Sequence, residues 1–232
     1  MSNLAHSSPS NASPGNVVCV GGHPDDPESG CGGTLALLAR AGYNVTIIYL
    51  TTGEAGIQGK SHSEAAAIRK QEALNACKII KAKPVFAGQI DGATIVNNEW
   101  IDTLSKLIES EKPSMVFTHW PIDSHRDHQA AANLAIQAWF RSNQKYPLYF
   151  FEVSYGIQTT GFTPTDFCDI SSTQAQKREA LFCHTSQDPA DIYDIVHADM
   201  EKFRGRALGV KAAEAFVRIQ DNSTLFNGLL PK

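Results

Sequence analysis

The sequence predicts an α/β fold, a mostly parallel β-sheet covered by helices, and three observations predict it. Short apolar runs alternate with longer helical stretches from residue 17 onward, the pattern of strand–helix–strand units. The runs Val17–Gly21 and Val45–Leu50 are almost wholly apolar or β-branched, as strands buried on both faces are. The chain of 232 residues, 42% apolar and 19% charged, is long and apolar enough for one well-buried domain and unlike a disordered segment.

Taken in order, Met1–Asn16 is rich in Ser, Asn and Pro and reads as a flexible tail, leaving residues 17–232 as a single domain. Val17–Gly21 is the first strand. Gly33–Ala41 is a helix ending at Gly42, which suits a left-handed cap. Val45–Leu50 is the second strand, and Thr51–Ser61, with three glycines, a mobile loop. Ser63–Ile80 is a helix, Pro84–Ala87 a third strand, and Glu99–Ser110 a helix with Ile101, Leu104, Leu107 and Ile108 on one face. Ser114–Thr118 is a strand and Ala130–Phe140 a helix. Beyond them Leu148–Val153 and Phe167–Ile170 read as strands, Thr173–Cys183 and Ala190–Phe203 as helices.

Composition excludes several classes. A net charge of −4 gives no electrostatic reason for nucleic acid or an anionic membrane as partner. Five cysteines, odd in number and without a CxxC pair, read as thiols and not as a disulfide frame or thiolate zinc site. No stretch approaches the ~18 apolar residues that span a bilayer, and the tail lacks the basic start and apolar run of a signal peptide, so the expected location is the cytoplasm.

Two histidine–acid clusters carry the chemistry: His23-Pro24-Asp25-Asp26 and His125-Arg126-Asp127-His128, each following an apolar strand. Open parallel sheets place ligands beyond the carboxyl ends of their strands. If the two strands are neighbours, the clusters meet there. A hydrolytic zinc site has three protein ligands and one open position, and two histidines with one carboxylate are a recurring set. His23, Asp26 and His128 make that set. Asp25, diverging from Asp26 on the turn, then serves as general base toward the attacking water. His125 and His128 share a helix face, so only one need bind the ion, and the other can protonate a leaving amine or stabilise an oxyanion. Ser124 and Asp127 have capping-box spacing, and Asp127 can accept from a ligand imidazole. Taken singly, an HPDD is as readily a turn and an HxxH mostly solvated surface; their joint appearance after two strands favours a metal. His119, at a strand end, reads as structural. Gly30-Cys31-Gly32-Gly33 fits a dinucleotide fingerprint badly and reads as close helix–strand packing.

These residues resemble the LmbE-like or PIG-L-type zinc-dependent N-acetylglucosamine deacetylases. The resemblance rests on His23-Pro-Asp-Asp-Pro-Glu28, Cys31-Gly-Gly-Thr-Leu35, Leu50-Thr-Thr-Gly-Glu54, Arg69 with Glu72, His125-Arg-Asp-His128, His184-Thr-Ser-Gln187 and Ala213-Glu-Ala-Phe216. It implies a Rossmann-like three-layer sandwich and removal of an acetyl group from an N-acetylglucosamine-type sugar. It further implies His23, Asp26 and His128 as ligands of one Zn2+ per subunit, Asp25 as general base and His125 as acid or oxyanion partner. Arg69, Asp91 and His184 become substrate-facing groups, against the plainer alternatives of a surface salt bridge, a turn acid and a helix cap. A trimer or hexamer follows by the same analogy. Two histidines and one aspartate also accept iron or cobalt. The rival readings are a sugar- or nucleotide-binding module without catalysis and a metal-dependent hydrolase of ester or phosphate-ester bonds.

Overall fold

A computed structural model describes residues 14–153 and 158–219 of the chain. Its strands are β1 (Asn16–Gly21), β2 (Asn44–Tyr49), β3 (Ala82–Phe86), β4 (Met115–His119), β5 (Leu148–Phe151), β6 (Asp166–Asp169) and β7 (Ala213–Arg218). The helices are α1 (Asp26–Arg40), α2 (His62–Ile80), α3 (Asn98–Ser110), α4 (Arg126–Arg141), α5 (Gln174–Leu181) and α6 (Ala198–Leu208). One seven-stranded sheet runs in the order β3-β2-β1-β4-β5-β7-β6. The first five strands of the chain pair in parallel, while β7 is antiparallel to β5 and β6.

Alternation along β1 builds a core on each face of this sheet. Val17 and Cys19 pack with Leu35 of α1 and Ala73, Ala76 and Ile80 of α2. Val18 and Val20 pack with Leu104 and Ile108 of α3 and Leu134 and Ala138 of α4. Three layers result, because residues of opposite parity in a strand must each find a helix to cover them.

The strand order reverses between β1 and β4, which lie side by side from Val17↔Met115 to Val20↔Thr118. Such a switch point opens a crevice outside the carboxyl ends of the strands. His23 follows β1 by two residues, and His125 lies in the loop from β4 to α4, so both clusters enter that crevice.

Several expectations are corrected. Asn16 is not tail: it begins β1, and its side-chain amide donates to the Glu111 carbonyl at 2.7 Å. The helix expected at Gly33 starts at Asp26 and breaks at Cys31 (φ −145°, ψ 15°), although Gly42 (φ 92°) does follow its end in the left-handed region. The loop after β2 is tied down, with Ala55 N–H donating to Asp91 and Arg69 to the Gly53 carbonyl. The helix expected from Ala190 begins as a π-helical segment, Asp191–His197, before α6. β7 was not expected, since Ala213-Glu-Ala is a poor strand signature that only its two neighbours rescue.

Candidate active site

Backbone geometry sets the first cluster. Gly22 stands where a Cβ would crowd the His128 ring at 3.1 Å and Asp26 at 3.2 Å, so glycine lets the chain pass between them. Its N–H donates to His119 Nε2 at 2.9 Å. Asp25 then adopts φ 103°, a left-handed turn that separates its side chain from that of Asp26.

The second cluster is arranged differently from the expected Ser124–Asp127 capping box. His125 is the N-cap of α4, its Nδ1 accepting from Asp127 N–H at 3.3 Å. The Asp127 carboxylate is committed elsewhere, accepting from Gly92 N–H at 2.7 Å and Thr94 Oγ1–H at 2.6 Å and lying 3.1 Å from His23 Nε2. Asp127 is thus the acceptor behind a candidate ligand imidazole.

The structure brings His23, Asp26 and His128 together. His23 Nδ1 lies 3.1 Å from Asp26 Oδ2, and His128 Nε2 lies 3.2 Å from Asp26 Oδ1. The far nitrogen of each ring rests on buried carboxylates: His23 Nε2 on Asp127 and Asp91, His128 Nδ1 on Asp123 at 3.0 Å. His125, His23 and His128 also bring one ring nitrogen each within 4.8 Å of one another, as do Asp26, His119 and His128. His119 is disfavoured as a ligand, because its Nε2 lone pair already accepts the Gly22 N–H. Each imidazole meets Asp26 on one side while carboxylates hold the outward nitrogens, so the histidines and aspartates of this cluster could hold a divalent cation.

The electrostatics agree that the centre favours positive charge. Burial opposes charge on His128, yet Asp26 and Asp123 outweigh it and lift its pKa to about 9. His23 is likewise raised, by Asp26, Asp127 and Asp91 against burial. Asp26 is held well below the ordinary carboxylate range, the three imidazoles around it overcoming its burial. Asp25 behaves oppositely: burial pushes it up to about 6, only partly offset by Arg69. His125 is lowered by burial and by its cationic neighbours His128 and His23, and His119 falls to about 4 for want of solvent.

An open cleft of about 420 Å³ is walled by Asp25, Asp26, Asp91, Arg69, His125 and His128, with Ala55, Gly56 and Gln187 on its rim. Arg69 is no surface residue. Buried on α2, it donates to Asp25 Oδ2 at 3.0 Å and to the Pro24 and Gly53 carbonyls. Asp91 is more than a turn acid, since its oxygens face His23 and the Ala55 N–H. His184, expected to face substrate, is wholly buried with Nε2 3.4 Å from Glu28 and is not part of the described cleft wall. Gln187 takes that place, because Glu72 accepts from Thr185, Ser186 N–H and Ser186 Oγ and turns the segment so that its end meets the cleft. Asp123, Glu28 and Gln187 were not assigned from sequence. Glu28 and Gln187 lie within motifs that carry the family resemblance, without a role of their own, and Asp123 is an acid shortly before His128.

The chain matches the PIG-L family, described as GlcNAc-PI de-N-acetylase, over residues 18–139. It is 28% identical over 193 residues to a diacetylchitobiose deacetylase of Thermococcus kodakarensis, covering 77% of this chain and 72% of the relative. A solved N,N′-diacetylchitobiose deacetylase from Pyrococcus horikoshii superposes with a TM-score of 0.78 at 26% identity, over 93% of this chain and 86% of that one. A 4-oxalmesaconate hydratase of Pseudomonas putida is 24% identical over 91% of this chain and 89% of its own length. With the family match spanning both histidine–acid clusters and more than half of the chain, this protein belongs to the PIG-L family of GlcNAc-PI de-N-acetylase-like proteins.

Proposed function

We propose that this protein is a metal-dependent deacetylase that hydrolyses the N-acetyl group of a glucosamine-type sugar, with His23, Asp26 and His128 holding the ion. One observation carries the reading: both imidazoles turn one nitrogen to Asp26 while a buried carboxylate holds the other, the arrangement usual for metal-ligating histidines. When bound, an ion of the zinc type supplies Lewis acidity and acidifies water.

Asp25 takes the proton of the attacking water. Its pKa of about 6 leaves it mostly ionised at neutral pH yet more basic than an ordinary aspartate, and Arg69 fixes its orientation. His125 stays neutral, its pKa being lowered. Because Nδ1 accepts the Asp127 N–H, its proton sits on Nε2, available first to the developing oxyanion and then to the departing amine. Water and amide give acetate and free amine, and no other reactant is required.

The cleft wall sets three carboxylates, Asp25, Asp26 and Asp91, beside Arg69 and the imidazoles of His23 and His128, so a bound divalent ion would replace the protons those two imidazoles otherwise hold.

Acetate release from N-acetylglucosamine and N,N′-diacetylchitobiose, assayed before chelation, after it and after zinc is restored, tests the reading. Asp25→Asn should lose about 10²-fold or more in kcat while keeping its metal, and His128→Ala should lose both. Wild-type turnover in Asp25→Asn, or full activity in metal-free protein, would overturn it.

A further inference from the structure

The Ala213-Glu-Ala-Phe216 segment has no part in the cleft, yet its glutamate is buried against the helix that carries Asp26. Glu214 projects from β7 into the break in α1. Its Oε1 accepts from Gly33 N–H at 2.9 Å and its Oε2 from Thr34 N–H at 2.7 Å. Lys177 of α5, itself buried, donates to the same carboxylate at 2.7 Å and lies 2.9 Å from Glu201 of α6. Thr173 Oγ1 donates to the Gly33 carbonyl at 2.8 Å and closes the same region from the other side.

Two helical pieces therefore meet at Cys31. The first begins with Asp26 and includes Glu28, which accepts from Asp25 N–H; the second, from Gly33 on, has Glu214 at its amino end, where an anion is favoured. A straight helix would return the Gly33 and Thr34 amides to carbonyls four residues back. That alternative is local and available to the chain. Straightening the break swings the first piece, and Asp26 with it, relative to His128 on α4. Gly30 limits the swing on one side, because its backbone is seated on the Phe151 ring.

We infer that Glu214 is a positioning residue for the metal site, holding the α1 break so that Asp26 stays in register with His23 and His128. The inference rests on the metal reading proposed above. Glu214 touches neither cleft nor ion; it acts through α1, and Lys177 acts by neutralising its buried charge.

Zinc affinity of the full chain, measured by competition with a chromogenic chelator, tests it without any substrate. Glu214→Gln keeps the shape but offers one acceptor oxygen for two amides, and should weaken zinc binding about tenfold or more, the range seen for residues that orient ligands. Glu201→Gln removes the other partner of Lys177 without touching α1 and should leave affinity within about twofold of wild type, whatever it does to stability. Equal affinity in Glu214→Gln and wild type, or equal losses in both variants, would overturn the inference. Coupling is reciprocal, so zinc should also slow hydrogen exchange at the Gly33 and Thr34 amides of the wild-type protein. That measurement decides the matter if Glu214→Gln does not fold, and unchanged exchange there counts against the inference. A wild-type protein that binds no zinc overturns the metal reading and this inference together, whereas normal wild-type binding with an indifferent Glu214→Gln overturns this inference alone.

Discussion

At the residue scale, burial makes the ionised form of Asp25 costly to stability, and the proposed mechanism uses that form as its base. Its carboxyl, near 4 in an unfolded chain, is raised to about 6 by burial. A raised folded pKa means the group favours the fold only while protonated, and that contribution is lost as pH climbs through about 6. Above that, the ionised side chain costs up to about 3 kcal/mol by linkage. Asp25→Asn should therefore raise unfolding free energy of chelated protein by roughly 1–3 kcal/mol at pH 7.5 and by little near pH 4, read from denaturant curves at the two pH values. Equal effects at both would mean the carboxylate is not strained. In the ion-loaded protein the cation lowers the Asp25 pKa, so kcat/KM should show an acid limb that falls as pH drops with its midpoint below pH 6, since the protonated form cannot accept a proton. The same acid limb in the residual activity of Asp25→Asn would exclude Asp25 as its source.

At the element scale, α1 and α4 each depart from an ideal helix start in a way that serves the site. His125 caps α4 and frees Asp127 to hold His23, a division of labour invisible to spacing rules because Ser124 and Asp127 also fit a capping box. The glycines of α1 are contact residues: a Cβ on Gly30 would lie 2.2 Å from the fully buried Phe151 ring, and one on Gly33 2.9 Å from Ile170. Gly→Ala in a helix interior ordinarily gains up to about 1 kcal/mol. At Gly30 the overlap should reverse the sign and cost about 1–3 kcal/mol, seen as a lower Tm. A stabilised Gly30→Ala would show that the helix–sheet contact has room. Ser61 offers a contrast, capping α2 through Glu64 at an exposed site. Ser61→Ala should lose about 1 kcal/mol with no change in zinc affinity.

At the scale of the whole molecule, the switch point between β1 and β4 is where the sheet can host a ligand, and an ion there is bound only by the folded chain. Zinc at a hundred times its Kd should add about 2.7 kcal/mol, roughly 5–10 °C in Tm for a chain of this size. His128→Ala should abolish the shift, and a shift that survives it would place the ion elsewhere. The fold alone does not dictate the reaction, as the resemblance to a hydratase demonstrates. In the mechanism proposed above the constellation at the switch point does, through the charge and proton state of Asp25 and His125. Among the described residues no helix is long and apolar enough to cross a membrane.

The sequence by itself determined the strand–helix alternation, the parallel sheet and the two clusters that meet at its edge, because hydrophobic period and short motifs are local properties. It also marked His23, Asp25, Asp26, His125 and His128 as residues that share one site. Tertiary structure alone decided which groups stand behind them. Asp123 and Asp127 on the far nitrogens, Arg69 against Asp25, His184 buried on Glu28 instead of facing the cleft, and Glu214 in the α1 break all depend on contacts between distant segments. No local pattern encodes such pairs, for a carboxylate's partner is set by which chain ends the sheet order brings together.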